Sequence, residues 1–249
     1  MKEQLVSWGQ RHLSKEARRR LVRYAQWPPV GWVRWGSLRR LKPISANWGL
    51  ERGQPIDRYY IENFLAQQAT DIQGRVLEIG DDAYTRQFGQ QRVTERVVLH
   101  VAEQRERVTL IGSLTDPDSI PAATFDCLIV TQTLPVIYDV QTAVRTIHHA
   151  LKPGGVALVT VPGISQISRY DMDRWGHYWS FTTRSVAELF TAVFPPECVQ
   201  ITAHGNVLAA IAFLQGIASQ ELRRRELDAV DPNYQLLITI RAQKPEDGA

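Results

Sequence analysis

Apolar and polar positions follow two rhythms along this chain, and the changes of rhythm mark its elements. From Arg75 onward, short apolar runs closed by Gly, Pro or acids alternate with stretches whose apolar residues recur every three to four positions. The short runs predict strands at 75–79, 95–100, 107–111, 125–131, 155–161, 198–203 and 234–242. The longer-period stretches predict helices at about 84–90, 139–151, 183–194 and 206–225. Strands alternating with helices imply a parallel sheet covered on both faces. The helix from Asp139 is the most explicit. Asp139 is its cap, Val140, Ala143, Val144, Ile147 and Leu151 its buried stripe, and Lys152-Pro-Gly-Gly its stop. Ser185-Val-Ala-Glu188 reads as a capping box for the next helix. Between His100 and Arg107 the chain is shorter than the ~10–12 residues of a helical crossover, so either an extended strap or a poorly formed third strand is expected there.

Ahead of the first strand, 55–68 keeps helical spacing through Tyr60, Ile61, Phe64 and Leu65, with Asp57, Arg58 and Tyr59 as polar groups near its start. Residues 14–26 predict another helix, capped by Ser14, with a stripe of Leu13, Ala17, Leu21 and Ala25 and with Arg18, Arg19, Arg20 and Arg23 on its other faces. Pro28-Pro29 stops it. Trp27, Trp32 and Trp35 then interleave with Arg34, Arg39, Arg40 and Lys42. Such a segment either meets a polyanion, a membrane surface or a nucleotide-linked substrate, or packs its tryptophans inward while its arginines face water.

Charge sharpens that division. The net charge of +3 hides thirteen Lys/Arg against four Asp/Glu over residues 1–60, leaving 16 against 22 in the remainder. A basic N-terminal extension (1–54) therefore precedes a mildly acidic domain (55–243) and a short tail (244–249). Cys127 and Cys198 lie far apart in apolar surroundings, which fits reduced, packed thiols in a cytoplasmic protein better than a disulfide framework or a metal site. The longest apolar run, Val207 to Leu214, is far short of the ~20 residues of a membrane helix, and the polar, basic start carries no export signal.

Candidate chemistry gathers around Arg75-Val-Leu-Glu-Ile-Gly-Asp-Asp82, a buried strand ending in a tight turn at Gly80. Glu78 shares a strand face with Gly80. Asp81 and Asp82 put negative charge where a pyrophosphate would need amide donors, which disfavours a dinucleotide and suits a sulfonium or ammonium.

The ordered set Val-Leu-Glu-Ile-Gly80, Thr124-Phe-Asp-Cys-Leu-Ile-Val-Thr-Gln-Thr-Leu134 and Leu151-Lys-Pro-Gly-Gly-Val-Ala-Leu158 resembles the class I S-adenosylmethionine-dependent methyltransferases, of the methyltransferase type 11 kind, over about residues 55–243. The resemblance implies a Rossmann-like, doubly wound seven-stranded sheet whose last strand is antiparallel, with S-adenosylmethionine as cofactor. More narrowly, "RGQPIDRYYIENFL" and "DRWGHYWSFT" resemble a bacterial branch associated with glycosyltransferases and polysaccharide synthesis, which implies a saccharide acceptor and a glycosyltransferase partner.

Carried over by position, the resemblance assigns cofactor contacts to Glu78, Gly80, Asp81, Asp82, His100, Ser113, Leu114, Thr131 and Gln132. It departs from the family pattern in three places. The later glycines of the first loop fall on Asp82 and a residue near Tyr84, the ribose acid has no counterpart at His100 or Ala102, and the adenine acid falls on Ser113. Losing two charge-assisted hydrogen bonds of ~1.5–3 kcal/mol each makes a non-catalytic binding or scaffold protein the alternative reading. The loop after the fifth strand offers Tyr170, Asp171, Arg174, Trp175, Tyr178 and Trp179 for a small hydroxyl-bearing acceptor, and His177 as its base, or else as a histidine bonded within an aromatic loop. Residues 1–45 are the candidate contact with an anionic surface.

Overall fold

The computed structural model describes residues 14–17, 27–102 and 108–246. The chain divides into two compact units, Met1–Lys42 and Pro43–Ala249, so residues 43–54 belong with the larger one. In the smaller unit, residues 15–17 are helical, and the Ala17 N–H donates to Ser14 Oγ at 3.2 Å, the capping expected there. Most of the helix expected over 14–26, with Arg18, Arg19, Arg20 and Arg23, lies outside the described residues.

In the larger unit, α1 (Ile56–Gln67) precedes β1 (Gly74–Ile79), β2 (Val93–His100), β3 (Leu110–Ile111) and β4 (Phe125–Thr131). Then come α2 (Val140–Ala150), β5 (Leu151–Pro162), the single turn α3 (Arg169–Met172), α4 (Thr183–Thr191), β6 (Val199–His204), α5 (Val207–Gln215), α6 (Arg224–Asp228) and β7 (Leu237–Gln243). The strands form one sheet in the order β3-β2-β1-β4-β5-β7-β6. All neighbours pair in parallel except β7, which runs antiparallel to both β5 and β6. This is the doubly wound seven-stranded sheet with an antiparallel last strand. Between β1 and β4 the connections diverge to opposite sides, which opens a crevice at their carboxyl ends.

Period-2 alternation sends consecutive residues to opposite layers. On β4, Leu128 and Val130 join the cluster under α2 and α4, whereas Cys127 and Ile129 join the cluster under α1 and α5. Each fully buried Leu, Ile or Val contributes about 1.5–3 kcal/mol, and the stripe expected on α2 (Val140, Ala143, Val144, Ile147) is buried as read. A bidentate pair, Asp71 Oδ2 and Oδ1 with Arg241 Nε and Nη2 at 2.7 and 3.0 Å, ties the loop before β1 to β7.

Three local expectations are corrected. The helix expected over 206–225 is broken: α5 ends at Gln215 because Gly216 takes the left-handed conformation (φ 66°) and its own N–H, with that of Ile217, closes onto Phe213 and Ala212 carbonyls. The helix expected at 84–90 is a single π-type turn, Thr85–Gly89. The box capping α4 is Thr182 with Ser185, the Thr182 Oγ1 accepting from the Ser185 N–H, rather than Ser185 with Glu188. Glu188 instead pairs with Arg184 at 2.6 Å. The third strand is indeed only two residues long, as the short crossover requires.

Candidate functional site

Four strand tips make the floor of the site. The Gly80 N–H donates to Leu99 O at 2.9 Å, Gly112 N–H to His100 O at 3.1 Å, and Gln132 N–H to Thr160 O at 2.9 Å. These bonds continue the ladders one residue past β1, β3 and β4, so Gly80, His100, Gly112 and Gln132 stand in a row along the carboxyl edge. Gly80 and Gln132 both have positive φ, 86° and 52°. For Gly80 that conformation is free of strain, but for Gln132 it costs on the order of 1 kcal/mol and concentrates at functional sites.

Above this floor lie two adjoining cavities of about 620 and 440 Å³, which share Ile79, Gly80, Gln132, Val136 and Asp171. The first is mostly apolar. Its walls are Ile79 and Leu99 from β1 and β2, Gly112, Ser113 and Leu114 after β3, and Val136, Ile137 and Tyr138 after β4. Trp175 and Tyr178 close it from the loop after β5, and Trp175 stands edge-on to His100 with ring centres 6.4 Å apart. The second lobe is polar and acidic, lined by Asp57, Glu78, Asp81 and Asp171, with Arg58 as its cation, and by Tyr84, Thr131, Ser165, Ser168 and His177.

The positions expected to bind a ligand divide accordingly. Gly80 and Gln132 line both lobes, His100, Ser113 and Leu114 the first, and Glu78, Asp81 and Thr131 the second. Asp82 lines neither. Its buried carboxylate meets Arg86 Nε at 2.6 Å and Arg96 Nε at 3.6 Å, so only Asp81 of the acidic pair faces the cavity. Of the loop residues, Asp171 lines both lobes, Trp175 and Tyr178 the first, and His177 the second. Tyr170, Arg174 and Trp179 line neither cavity. Arg174 stacks on Tyr170, 3.6 Å from the ring centre, and the Trp179 indole N–H donates to Ile137 O at 3.0 Å.

Glu78 is held from within. It is 2 % exposed, and its carboxylate accepts from the Tyr84 and Thr85 N–H groups at 3.2 and 2.8 Å, capping the π-type turn. Burial pushes its pKa up to about 7, outweighing those two hydrogen bonds, which pull the other way. Beside it the Arg58 guanidinium donates to Tyr84 Oη at 2.8 Å, and burial pushes the Tyr84 hydroxyl up to about 12. Burial likewise raises the Asp57 carboxyl above its ordinary value. Among the residues lining the two lobes, two buried polar atoms have no hydrogen-bond partner: Gln132 Nε2 and His177 Nδ1. An orphaned buried donor is expensive unless a ligand satisfies it. Asp171 is fixed through its backbone, its N–H donating to Ser168 Oγ at 3.2 Å and its carbonyl accepting from Trp175 and Gly176 at 2.8 and 3.1 Å.

Sequence reading missed several wall residues. Val136, Ile137 and Tyr138 follow Gln132 closely in sequence, but only the 3-10 turn Leu134–Val136 folds them back over the first lobe. Trp48 and Leu50 reach the second lobe from the segment before α1, with no local signal for it.

Comparison with known proteins agrees with this geometry. Residues 65–159 match the family model described as "Methyltransferase domain". No curated protein matches the chain by sequence. Among solved structures, the chain is similar to N-methyltransferase NodS from Bradyrhizobium japonicum WM9 in complex with S-adenosyl-L-homocysteine, at 15% identity and TM-score 0.50 over 82% of this chain and 95% of that one. It is also similar to a putative sarcosine dimethylglycine methyltransferase from Galdieria sulphuraria (13% identity, TM-score 0.52, 76% and 87% covered) and to the [4+2]-cyclase SpnF (16%, 0.51, 82% and 87%). At such identities the likeness is one of fold, and the fold also carries the cyclase.

The residues present fit S-adenosylmethionine. The apolar lobe lined by Leu99, Leu114 and Ile137 suits a purine, Gly80 lets the backbone approach closely, and the acids of the second lobe suit an ammonium and a sulfonium. The orphaned Gln132 Nε2 is a donor for a ligand oxygen at the waist. The tip of β2 departs from the pattern, contributing His100 and Val101 rather than a carboxylate among the described residues lining the lobe. With its strand order, its strand-tip crevice and its matched segment, this chain has the Rossmann-like methyltransferase fold and contains, over residues 65–159, a segment that matches the methyltransferase domain.

Proposed function

We propose that this chain methylates an oxygen of a saccharide or another small hydroxyl-bearing acceptor. The observation that carries the reading is the shared waist of the two lobes: a largely apolar lobe meets a polar one at Gly80, Gln132 and Asp171, with the unpartnered His177 Nδ1 in the polar lobe. When bound, S-adenosylmethionine supplies a methyl carbon already activated for in-line displacement, so orientation does most of the work. Gln132 Nε2 donates to a ligand oxygen at the waist and fixes its position. The Asp171 carboxylate, open to both lobes, orients the acceptor hydroxyl. His177 would take the proton of the acceptor hydroxyl and release it to water, a contribution of about 10²-fold or more. Trp175 and Tyr178 offer flat faces against which a ring can stack. Glu78, His100, Ser113, Leu114 and Thr131 complete the cofactor side of this scheme.

Within the same reading the acceptor comes from polysaccharide synthesis, in the cytoplasm, with a glycosyltransferase as working partner and with residues 1–45 contacting an anionic surface. The segments resembling the glycosyltransferase-associated branch and the basic composition of residues 1–60 support these finer points. Among the described residues no helix is long and apolar enough to cross a membrane. One observation favours a non-catalytic binding or scaffold protein instead: among the described residues, the tip of β2 brings His100 and Val101 to the cavity and no carboxylate.

Isothermal titration with S-adenosylhomocysteine separates the two. Binding in the micromolar range supports the enzyme, and no heat at millimolar ligand sinks it. With an acceptor in hand, His177→Ala is expected to lower kcat about 100-fold at pH 7 while leaving S-adenosylhomocysteine affinity unchanged. Equal kcat in the variant would remove His177 from the scheme.

A further inference from the structure

The segment 43–54 before α1 borders the polar lobe as a strap pinned at both ends. At its start the Ile44 and Ser45 N–H groups donate to Gln215 O at 2.9 and 3.1 Å. Ser45 is buried, and its Oγ accepts from the Asn47 and Gly49 N–H groups at 3.1 and 3.0 Å. At its end the Arg52 guanidinium donates to Glu221 Oε1 and Oε2 at 2.9 and 2.5 Å, and the Gln54 N–H donates to Gln220 Oε1 at 3.0 Å. Between them Gln166 Nε2 donates to Ala46 O at 2.9 Å.

Within this strap Trp48 takes the left-handed conformation, with φ 54°. A bulky residue adopts it only where its surroundings impose it, and such strain gathers at functional sites. Trp48 packs in part against the cluster under α1 and α5, and it also lines the polar lobe. Among the described residues no other tryptophan does so: Trp175 lines the first lobe and Trp179 neither. Tyr84, the polar lobe's tyrosine, is buried and accepts from Arg58. Trp48 is therefore the indole face available to an acceptor, in the lobe that also holds Asp171 and His177. Charge narrows what can lie there. Asp57, Glu78, Asp81 and Asp171 line the lobe with a single guanidinium, Arg58, which already donates to Tyr84 Oη at 2.8 Å. Carboxylates accept hydrogen bonds from hydroxyl groups and repel another carboxylate or a phosphate.

We propose that Trp48 is the platform of the acceptor site, stacking on the C–H face of a pyranose ring that carries no anionic group. This ligand class rests on the hydroxyl-bearing acceptor proposed above and specifies its ring and its charge. An indole presents an apolar, electron-rich face, and one side of a pyranose is a layer of C–H bonds. The hydroxyls project from the edge of such a ring, where the carboxyl groups of the lobe accept from them. A uronic acid or a sugar phosphate would set its charge against those acids. The strap fixes the indole before the acceptor arrives, so little side-chain freedom is lost on binding.

The test is saturation-transfer NMR on the full chain, with and without S-adenosylhomocysteine. The probes are the methyl glycosides of glucose, galactose and mannose, with glucuronic acid and glucose 6-phosphate as charged counterparts. At least one neutral glycoside is expected to bind in the millimolar range, and both anions about tenfold or more weakly. Trp48→Gly is expected to weaken the glycoside about tenfold or more while S-adenosylhomocysteine affinity, by calorimetry, stays within about twofold. Glycine takes the left-handed conformation without strain, and a far-UV melting curve confirms a folded variant. Trp48→Asn, also tolerant of that conformation, repeats the test should the first variant fail to fold. Trp48→Tyr keeps a flat face and is expected to restore most of the binding. Equal glycoside binding by Trp48→Gly or Trp48→Asn, anions bound as tightly as neutral sugars, or no neutral glycoside bound would overturn the proposal. Trp48-dependent glycoside binding by a chain that does not bind S-adenosylhomocysteine would keep the platform and overturn the methyl-transfer reading instead.

Discussion

Glu78 sets up a pH dependence that can be worked through from the structure. Its carboxyl is buried under α1 and the π-type turn, accepts two backbone N–H groups, and titrates near 7 instead of its ordinary 4.5, because burial outweighs the two hydrogen bonds. The folded state therefore binds a proton that the unfolded chain has already lost between pH 4.5 and 7. Where the folded state holds more protons, stability falls as pH rises. A full displacement of this size corresponds to roughly 3 kcal/mol, and between pH 5 and pH 8 to about 2–3 kcal/mol. Glu78→Gln keeps the shape and one acceptor but does not titrate. Urea unfolding of both proteins at pH 5, 6, 7 and 8 is the assay. The stability of the variant relative to wild type is expected to climb by about 2–3 kcal/mol across that range. A relative stability constant to within about 0.5 kcal/mol over those four pH values would refute the burial argument, since that difference lies within surface-level effects.

Gln132→Met removes an orphaned buried amide donor at nearly constant volume, so its melting temperature is expected to hold or rise while S-adenosylhomocysteine affinity falls at least tenfold, measured by calorimetry. Gly216→Val should destabilise by more than about 2 kcal/mol in urea, because a Cβ there meets Ser45 O at 2.3 Å and the residue sits at φ 66°. Asp71→Ala strands Arg241, a group only 18 % exposed, and is expected to lower stability by about 2–4 kcal/mol at pH 7, with double-mutant analysis against Arg241→Leu recovering part of the loss. Equal urea midpoints for wild type and either of these two variants would contradict the contacts assigned to them.

Period, caps and punctuation in the sequence placed the strands and α2 of the larger unit, whereas the antiparallel last strand was implied only by the family resemblance. The apolar runs ending at Ile79, His100 and Thr131 lie within two residues of the observed strand ends because each run is buried on both faces, which leaves no register freedom. The stripe from Val140 to Ile147 forms one buried face for the same reason. Local pattern failed where a distant partner decides. Asp82 and Asp81 are equivalent in sequence, yet Arg86 and Arg96 capture one and leave the other facing the cavity, a choice made by the turn after β1 packing beside β2. Gly216 ends α5 by taking the left-handed conformation, and Ser45, far away in the chain, leaves no room there for a Cβ, a contact that nothing in 206–225 records. The division of the loop after β5, with Asp171 at the waist and Arg174 folded onto Tyr170, likewise belongs to tertiary structure alone. Sequence by itself determined which strands form and where their tips gather. Long-range contacts decided which side chains at those tips face a ligand, because facing is a relation between elements that no single stretch encodes.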